Sequence, residues 1–201
     1  MKKLLSFHSD EQLKTDLIEE IKRHELADQI VQGHYGKENG KWKGCAVGCS
    51  IHSYNLVRGK NLATSVHALY ESKFGIPRIL ARLEDRIFEG MNIEDAKGYP
   101  YRFMSAIPVG KDLDPVWKKF FIYILTDKEN DQTRKAIQDV SDLLNTSLIS
   151  KVTPEQFRAV ASAARSARSA YAAAADDDAA DARSKSFKRM ADKLVELLAA
   201  A

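Results

Sequence analysis

The sequence lacks most of the features that assign a chain to a special structural class. Only two cysteines and five prolines occur among 201 residues, too few for a disulfide-stapled secreted fold or a proline-rich spacer. No apolar run reaches the roughly 18 residues of a membrane-spanning helix. Asp10 and Glu11 interrupt the short apolar N-terminus, so no signal peptide is predicted. These absences predict a cytoplasmic protein without a membrane span.

A large surplus of charge and the common catalytic signatures are also missing. The 31 basic and 28 acidic side chains leave a net charge of +3, too little to indicate nucleic-acid binding by itself. The chain has no Walker phosphate loop, no G-x-G-x-x-G turn, no H-E-x-x-H helix and no G-x-S-x-G elbow. Enzyme classes that carry these motifs are disfavoured, and the sequence leaves open whether the protein is an enzyme.

Apolar residues recur at helical spacing along most of the chain. Together with capping residues, glycine and proline, they predict helices over residues 10–32, 45–57, 62–74, 77–90, 114–125 and 133–148. Short helices and turns fill residues 92–110, and a glycine-rich loop fills 33–44. The predicted fold is all-α, a compact multi-helix domain. The alternative is an α+β fold in which the β-forming residues 120–125 make a buried strand.

The composition changes after residue 152, where a segment rich in alanine begins. We therefore predict a helical domain over 1–152 and a helical extension over 153–201, which forms one long helix or a helix pair. Phe187, Met190, Leu194 and Leu197 form a narrow apolar stripe, which predicts a homo-oligomer or a protein partner. Aspartates 176–178 and 181 separate the basic clusters of this segment, which argues against nucleic-acid binding.

The residues best suited to bind a metal or to react as nucleophiles lie in the segment from Gly44 to Ser53. In a helix, Cys45, Cys49 and His52 fall within a sector of about 60°, since each residue turns the helix by about 100°. Two thiols and one imidazole on one face have three interpretations. The simplest is packing, because free cysteine is a frequently buried residue and the glycines allow a neighbouring helix to approach closely.

The second interpretation is a metal site. Thiolate and imidazole are preferred ligands of zinc, so Cys45, Cys49 and His52 would need one further ligand. His34 on the glycine-rich loop is the main candidate, with His24 and Asp28 as alternatives. On this interpretation the cofactor is zinc, although the spacing matches no familiar zinc motif, and the sequence by itself leaves the cofactor open.

The third interpretation is a reactive thiol. Cys45 lies at the predicted start of a helix, where the helix dipole and the unpaired N–H groups favour thiolate. His52 would act as its base, and His67 and His34 are alternatives. No carboxylate that would orient the base is evident from the sequence.

A second group of charged residues lies on the helix predicted at 77–90. Arg82, Glu84 and Asp85 are candidates for binding a ligand, since arginines bind phosphate and paired carboxylates can transfer protons. The same pattern of charges at helical spacing is also typical of a solvated helix face with exposed ion pairs.

Three segments resemble an uncharacterised protein family of bacteria and phages. They are Gly44–Cys49, with the sequence GCAVGC, Ala81–Gly90 and Ala106–Gly110. The tail rich in alanine, serine and arginine is also similar. The resemblance implies a cytoplasmic or phage-encoded accessory protein, but no activity is known for the family, so it assigns no catalytic residue.

Three functional hypotheses follow. The first is a binding protein with a metal or small-ligand site near Gly44–His52. The second is a thiol-dependent enzyme with Cys45 as the nucleophile. The third is a structural or interaction protein that sequesters a host factor through its C-terminal helix.

Overall fold

The structure, a computed structural model, describes residues 3–33, 35–38, 41–126, 134–149, 153 and 179–201. It is all-α, as predicted. The helices are α1 (Glu11–Leu26), α2 (Ala46–Arg58), α3 (Arg78–Gly90), α4 (Ile93–Lys97), α5 (Tyr99–Ala106), α6 (Asp114–Thr126), α7 (Arg134–Ile149) and α8 (Ala179–Ala199). Single helical turns occur at Ser6–Ser9 and Tyr70–Phe74, and a hairpin consists of β1 (Tyr35–Glu38) and β2 (Lys41–Gly44).

The chain forms two compact units. The first contains residues 1–113 and 182–201, and the second contains residues 114–181. The predicted domain boundary at residue 152 was drawn from composition and stays a prediction. The part of the alanine-rich segment from 154 to 178, with its predicted bend at the aspartates, lies outside the described residues. None of the helices in the described ranges combines the length and the apolar character that spanning a bilayer requires.

The first unit has a core rich in aromatic side chains. Helix α1 packs against α2 and α5, and α2 also packs against α3. The largest fully buried side chains of this unit include Phe7, Tyr70, Phe74, Phe88, Tyr99 and Phe103. The N-terminal half of α2 is enclosed by its neighbours, and its buried residues are Ala46, Val47, Gly48, Cys49, Ser50 and Ile51. These side chains are mostly small, so the neighbouring helices can approach α2 closely.

Helix α1 ends at Leu26, earlier than the predicted end at residue 32, because the following residues pair with the hairpin. Asp28 has a left-handed backbone conformation with φ +51°, which stops a helix. The Val31 N–H then donates to the Gly44 carbonyl at 2.9 Å, and the Gly44 N–H donates to the Gln29 carbonyl at 3.0 Å. The predicted glycine-rich loop therefore contains an antiparallel hairpin, in which Tyr35 lies opposite Gly44.

The helix predicted over 62–74 is wrong for most of its length, since only the turn Tyr70–Phe74 is helical. The buried side-chain amide of Asn55 takes up both backbone hydrogen-bonding groups of Leu62 instead. It donates to the Leu62 carbonyl at 2.9 Å and accepts from the Leu62 N–H at 3.0 Å. The turn ends at Gly75, where φ is +64° and an added Cβ would lie 1.9 Å from the Leu5 carbonyl oxygen. Only glycine fits this position.

In the second unit, the alternative of a strand at 120–125 is wrong, because α6 is helical over Asp114–Thr126. Asp114 stabilises its N-terminus. Its carboxylate accepts from the Trp117 indole N–H at 2.8 Å and pairs with Lys118 Nζ at 2.8 Å, and an acidic group is favourable at a helix N-terminus. Helices α6 and α7 pack against each other, and Lys118 donates to the Ser147 carbonyl at 3.0 Å.

The described part of the C-terminal extension confirms a helix, α8. Its most buried side chains are Ser186, Ala191, Leu194 and Leu198. Phe187 packs on Gly90 of α3, where an added Cβ would lie 2.3 Å from the Phe187 ring. Arg102 of α5 pairs with Asp192 at 2.5 Å. Helix α8 therefore buries much of its apolar face within the first unit, although its apolar stripe predicted self-association.

Candidate metal centre

Cys45 is held in place at the start of α2. It is the N-cap residue, with extended φ and ψ of −69° and −179°. Its sulfur accepts a hydrogen bond from the Gly48 N–H at 3.5 Å, and its carbonyl accepts from the Cys49 N–H at 2.8 Å. The preceding Gly44 is fixed by its backbone pairing with Gln29 and Val31. The thiol thus lies at a buried helix N-terminus, and its backbone is hydrogen-bonded on both sides.

Helix α3 brings two carboxylates to this thiol. Asp85 and Glu89 are four residues apart on the helix, so they project from the same face. One ligand atom from each of Cys45, Asp85 and Glu89 lies within 4.8 Å of the other two. Cys45 is buried, Asp85 is half-buried and Glu89 is exposed. This group therefore runs from the core to the surface, and an ion could enter from the Glu89 side.

Each carboxylate is also held by a neighbouring segment of the first unit. Nε2 of His67 lies 3.2 Å from Oδ2 of Asp85. The Gly33 N–H donates to both oxygens of Glu89, at 3.1 and 3.0 Å. The carboxylates are therefore restrained before an ion binds, and restrained ligands lose less conformational entropy on binding.

The electrostatics of this group favour a cation. The half-buried and the exposed carboxylate give this group negative charge, and like charges this close repel each other. A divalent cation relieves that repulsion and can bind thiolate and carboxylate at the same time. Ligands of a tetrahedral zinc lie roughly 3.3–3.8 Å apart, given metal–ligand distances of about 2.0–2.3 Å. The three ligand atoms, which lie within 4.8 Å of one another, would need to approach by at most about 1–1.5 Å to reach that geometry.

The adjacent carboxyl group of Glu84 differs in charge. Glu84 is fully buried, and the Tyr70 hydroxyl donates to its Oε2 at 2.6 Å. Its Oε1 has no hydrogen-bond partner within the described part of the chain. The pKa of Glu84 is raised to about 8, chiefly by burial. The hydrogen bond from Tyr70 opposes this rise, and the negative charge of Asp85 adds to it. Glu84 is therefore mostly protonated at pH 7 and adds little negative charge beside Cys45, Asp85 and Glu89, the candidate metal group.

The structure separates the cysteines that the sequence grouped on one face. Cys45 is an N-cap with extended backbone, so its side chain does not follow the helical spacing of Cys49 and His52. Cys49 is fully buried outside the metal group, and burial, with the nearby Glu84 as a second cause, raises the pKa of its thiol well above the ordinary value. Neither Cys45 nor Cys49 forms a disulfide.

The histidines proposed as ligands lie elsewhere or outside the described residues. His52 stacks on Trp42 with ring centroids 4.3 Å apart, and its ring centre is 5.1 Å from that of His24. His24 shares a hydrogen bond with the side chain of Gln29 at 2.7 Å. Asp28 instead pairs with Lys97 at 3.2 Å. His34 lies outside the described residues.

The three charged residues proposed to bind a ligand do not share one environment. Arg82 is exposed, Glu84 is fully buried and Asp85 is half-buried. The interpretation of this helix face as solvated is wrong for Glu84. Asp85 is the member that joins the metal group, together with Glu89, which the sequence analysis did not choose as a ligand. The spacing of two acidic residues four apart was the available signal.

Comparisons with protein-family models, curated proteins and solved structures found no match to this chain. The resemblance to a bacterial and phage family therefore stays a prediction. The functional assignment depends on the geometry of the site alone.

Proposed function

We propose that this protein binds a metal ion through Cys45, Asp85 and Glu89. The observation that carries the proposal is the convergence of one thiol and two carboxylates within 4.8 Å, contributed by α3 and the N-terminus of α2. Cys45 is 40 positions from Asp85 and 44 from Glu89, so only the packing of the two helices brings the thiol to the carboxylates. Capping a helix does not require carboxylates beside the capping residue, and a solvated helix face does not require a buried thiol beside it. Neither structural role by itself accounts for this group.

Zinc is the ion that we propose. A thiolate ligand favours zinc and other borderline metals over magnesium and calcium, which prefer oxygen ligands alone. Zinc also accepts carboxylate oxygen beside sulfur and needs no fixed number of oxygen ligands. Three protein ligands leave one position for water, a small ligand or a further side chain.

Elemental analysis of the purified chain after equilibration with zinc and gel filtration tests the proposal. We expect about one equivalent of zinc in the wild type, whereas Glu89→Gln and Asp85→Asn should bind zinc too weakly to retain it through gel filtration. Glu89 is exposed, so its replacement by glutamine should leave the fold intact, as circular dichroism would check. Cys45→Ala should also lose the ion.

Matched controls separate the site from general effects. Cys49→Ala removes the other thiol of the same helix, and Glu94→Gln removes an exposed carboxylate of α4. Both should retain zinc. A wild type without stoichiometric zinc would refute the proposal, as would Asp85→Asn and Glu89→Gln variants that both bind zinc like the wild type.

A thiol-dependent enzyme with Cys45 as nucleophile is the second candidate. The observation in its favour is the position of Cys45 at a helix N-terminus, with the Gly48 N–H directed at its sulfur, since such a position favours thiolate. The carboxylates nearby and the full burial of Cys45 oppose it. Fast labelling of native, metal-free protein by iodoacetamide at neutral pH, lost in Cys45→Ala, would support the enzyme.

We further propose a cytoplasmic accessory protein, and we retain self-association or a protein partner as a hypothesis. Because Leu194 and Leu198 of α8 are buried within the first unit, an oligomer would use other surfaces of the chain. Sedimentation of the purified protein over a range of concentrations tests this hypothesis. A single species with the mass of one chain would contradict self-association.

A further inference from the structure

His67 holds one of the proposed metal ligands without belonging to the ligand group. Its Nε2 lies 3.2 Å from Oδ2 of Asp85, and the two side chains are 25% and 19% exposed. The group of mutually close ligand atoms found among the described residues contains Cys45, Asp85 and Glu89 but not His67. The imidazole therefore contacts the site through Asp85.

The segment that carries His67 is fixed from both ends. Towards α2, the Asn55 side chain makes two hydrogen bonds to the backbone of Leu62. Towards α3, the His67 carbonyl accepts from the Tyr70 N–H at 3.1 Å, at the start of the turn Tyr70–Phe74. Tyr70 in turn donates to Glu84, the neighbour of Asp85. Two consecutive carboxyl groups of α3 are thus contacted by His67 and Tyr70 of one short segment.

We infer that His67 is a positioning residue for the metal centre. A hydrogen bond from the imidazole restricts the rotation of the Asp85 carboxylate, so that an oxygen stays directed at the group in the absence of the ion. Hydrogen-bond partners of metal ligands commonly act in this way, and their loss weakens metal binding by about 10–100-fold. This inference rests on the proposed metal site, because it concerns how one of the ligands is oriented.

The contact also links the ion to the segment 62–70. If the contact of His67 with Asp85 strengthens ion binding, then by reciprocity the bound ion strengthens that contact. Zinc should therefore slow the hydrogen exchange of backbone amides in this segment in the wild type. The effect should be smaller in His67→Ala.

The decisive experiment measures zinc affinity by competition with a chelating dye, on the full chain. We expect His67→Ala to bind zinc about 10–100-fold more weakly than the wild type. His67→Gln should recover most of this loss, because its side-chain amide can also donate to Asp85. In the Asp85→Asn background, His67→Ala should cause little further loss, since a residue that acts through Asp85 has nothing left to orient.

Each outcome has a definite meaning. Equal affinity of His67→Ala and the wild type would overturn the inference and leave the metal site standing. Equal loss in His67→Ala and His67→Gln, or a full additional loss in the Asp85→Asn background, would show that His67 does not act by holding Asp85. A wild type that binds no zinc would refute both proposals. The exposed His8 gives the control, since His8→Ala should bind zinc like the wild type.

Discussion

The two faces of α3 give adjacent carboxyl groups different environments. Glu84 faces the core, where burial keeps its carboxyl neutral up to a pKa of about 8. Asp85 is one residue and about 100° further around the helix, where it lies beside His67 and within reach of Cys45 and Glu89. Two adjacent carboxyl groups of one helix thus meet different surroundings, and the surroundings decide what each group can do.

The largest predicted effect is the pH dependence of stability, which comes from Glu84 on the buried face of α3. The folded chain keeps the Glu84 proton up to about pH 8, whereas an ordinary glutamate releases it near 4.5. The folded state therefore binds more protons than the unfolded state between these pH values. The free energy of unfolding falls by at most about 1.4 kcal/mol per pH unit as pH rises from 4.5 towards 8, and Glu84 causes no further change above 8.

Glu84→Gln removes this proton equilibrium and keeps an acceptor for Tyr70. Urea unfolding of metal-free wild type and Glu84→Gln at several pH values should show the difference in unfolding free energy between them changing by roughly 3–4 kcal/mol from pH 5 to pH 8. Other titrating groups cancel in this difference. A difference that is independent of pH would show that Glu84 titrates normally.

Zinc should stabilise the other face of α3. At a zinc concentration about 100 times the dissociation constant, the free energy of unfolding should rise by roughly 2.7 kcal/mol, because the folded state binds the ion and the unfolded chain does not. The rise should vanish in Asp85→Asn and persist in Glu84→Gln. Thermal unfolding with zinc and with a chelator measures it, and equal stabilisation of Asp85→Asn and wild type would contradict the comparison.

Gly90→Ala tests whether the last turn of α3 is held by α8. A methyl group at this position would lie 2.3 Å from the Phe187 ring, so the ring has to move and packing is lost. We expect a destabilisation of about 1–3 kcal/mol, as is usual for overpacking. In the Phe187→Ala background, Gly90→Ala should cost less than it does in the wild type, because the ring that the methyl group meets is absent; chemical denaturation measures both losses. Equal losses in the two backgrounds would mean that Gly90 matters for its backbone.

Arg82→Ala should give the smallest effect. Arg82 is exposed on the same helix, and substitutions at such positions change stability by within about 0.5 kcal/mol. Zinc affinity should also stay unchanged, because Arg82 is outside the ligand group. A clear change in either measurement would show that the charged surface of α3 acts on the metal group as a whole.

Much of the fold followed from local patterns. Apolar periodicity and capping predicted α2, α3, α6 and α7 nearly to their observed ends, because those signals are local. The prediction over 62–74 failed, since the amide of Asn55 satisfied the backbone of Leu62 and no periodicity reports such a bond. In the site, the special position of Cys45 and the candidacy of Asp85 were predictable, whereas the approach of Cys45 and His67 to Asp85 was not.

The sequence alone determined that the chain is helical, that Cys45 begins a helix and that Asp85 and Glu89 share a helix face, because each depends on residues within a few positions. Only the tertiary structure decided which face of α3 meets Cys45, that Glu84 is buried, and that His67 contacts Asp85. These depend on how α2 and α3 are rotated about their axes when they pack. That rotation is set by the whole core, including the aromatic residues around Tyr70 and Phe88, so no local pattern encodes it.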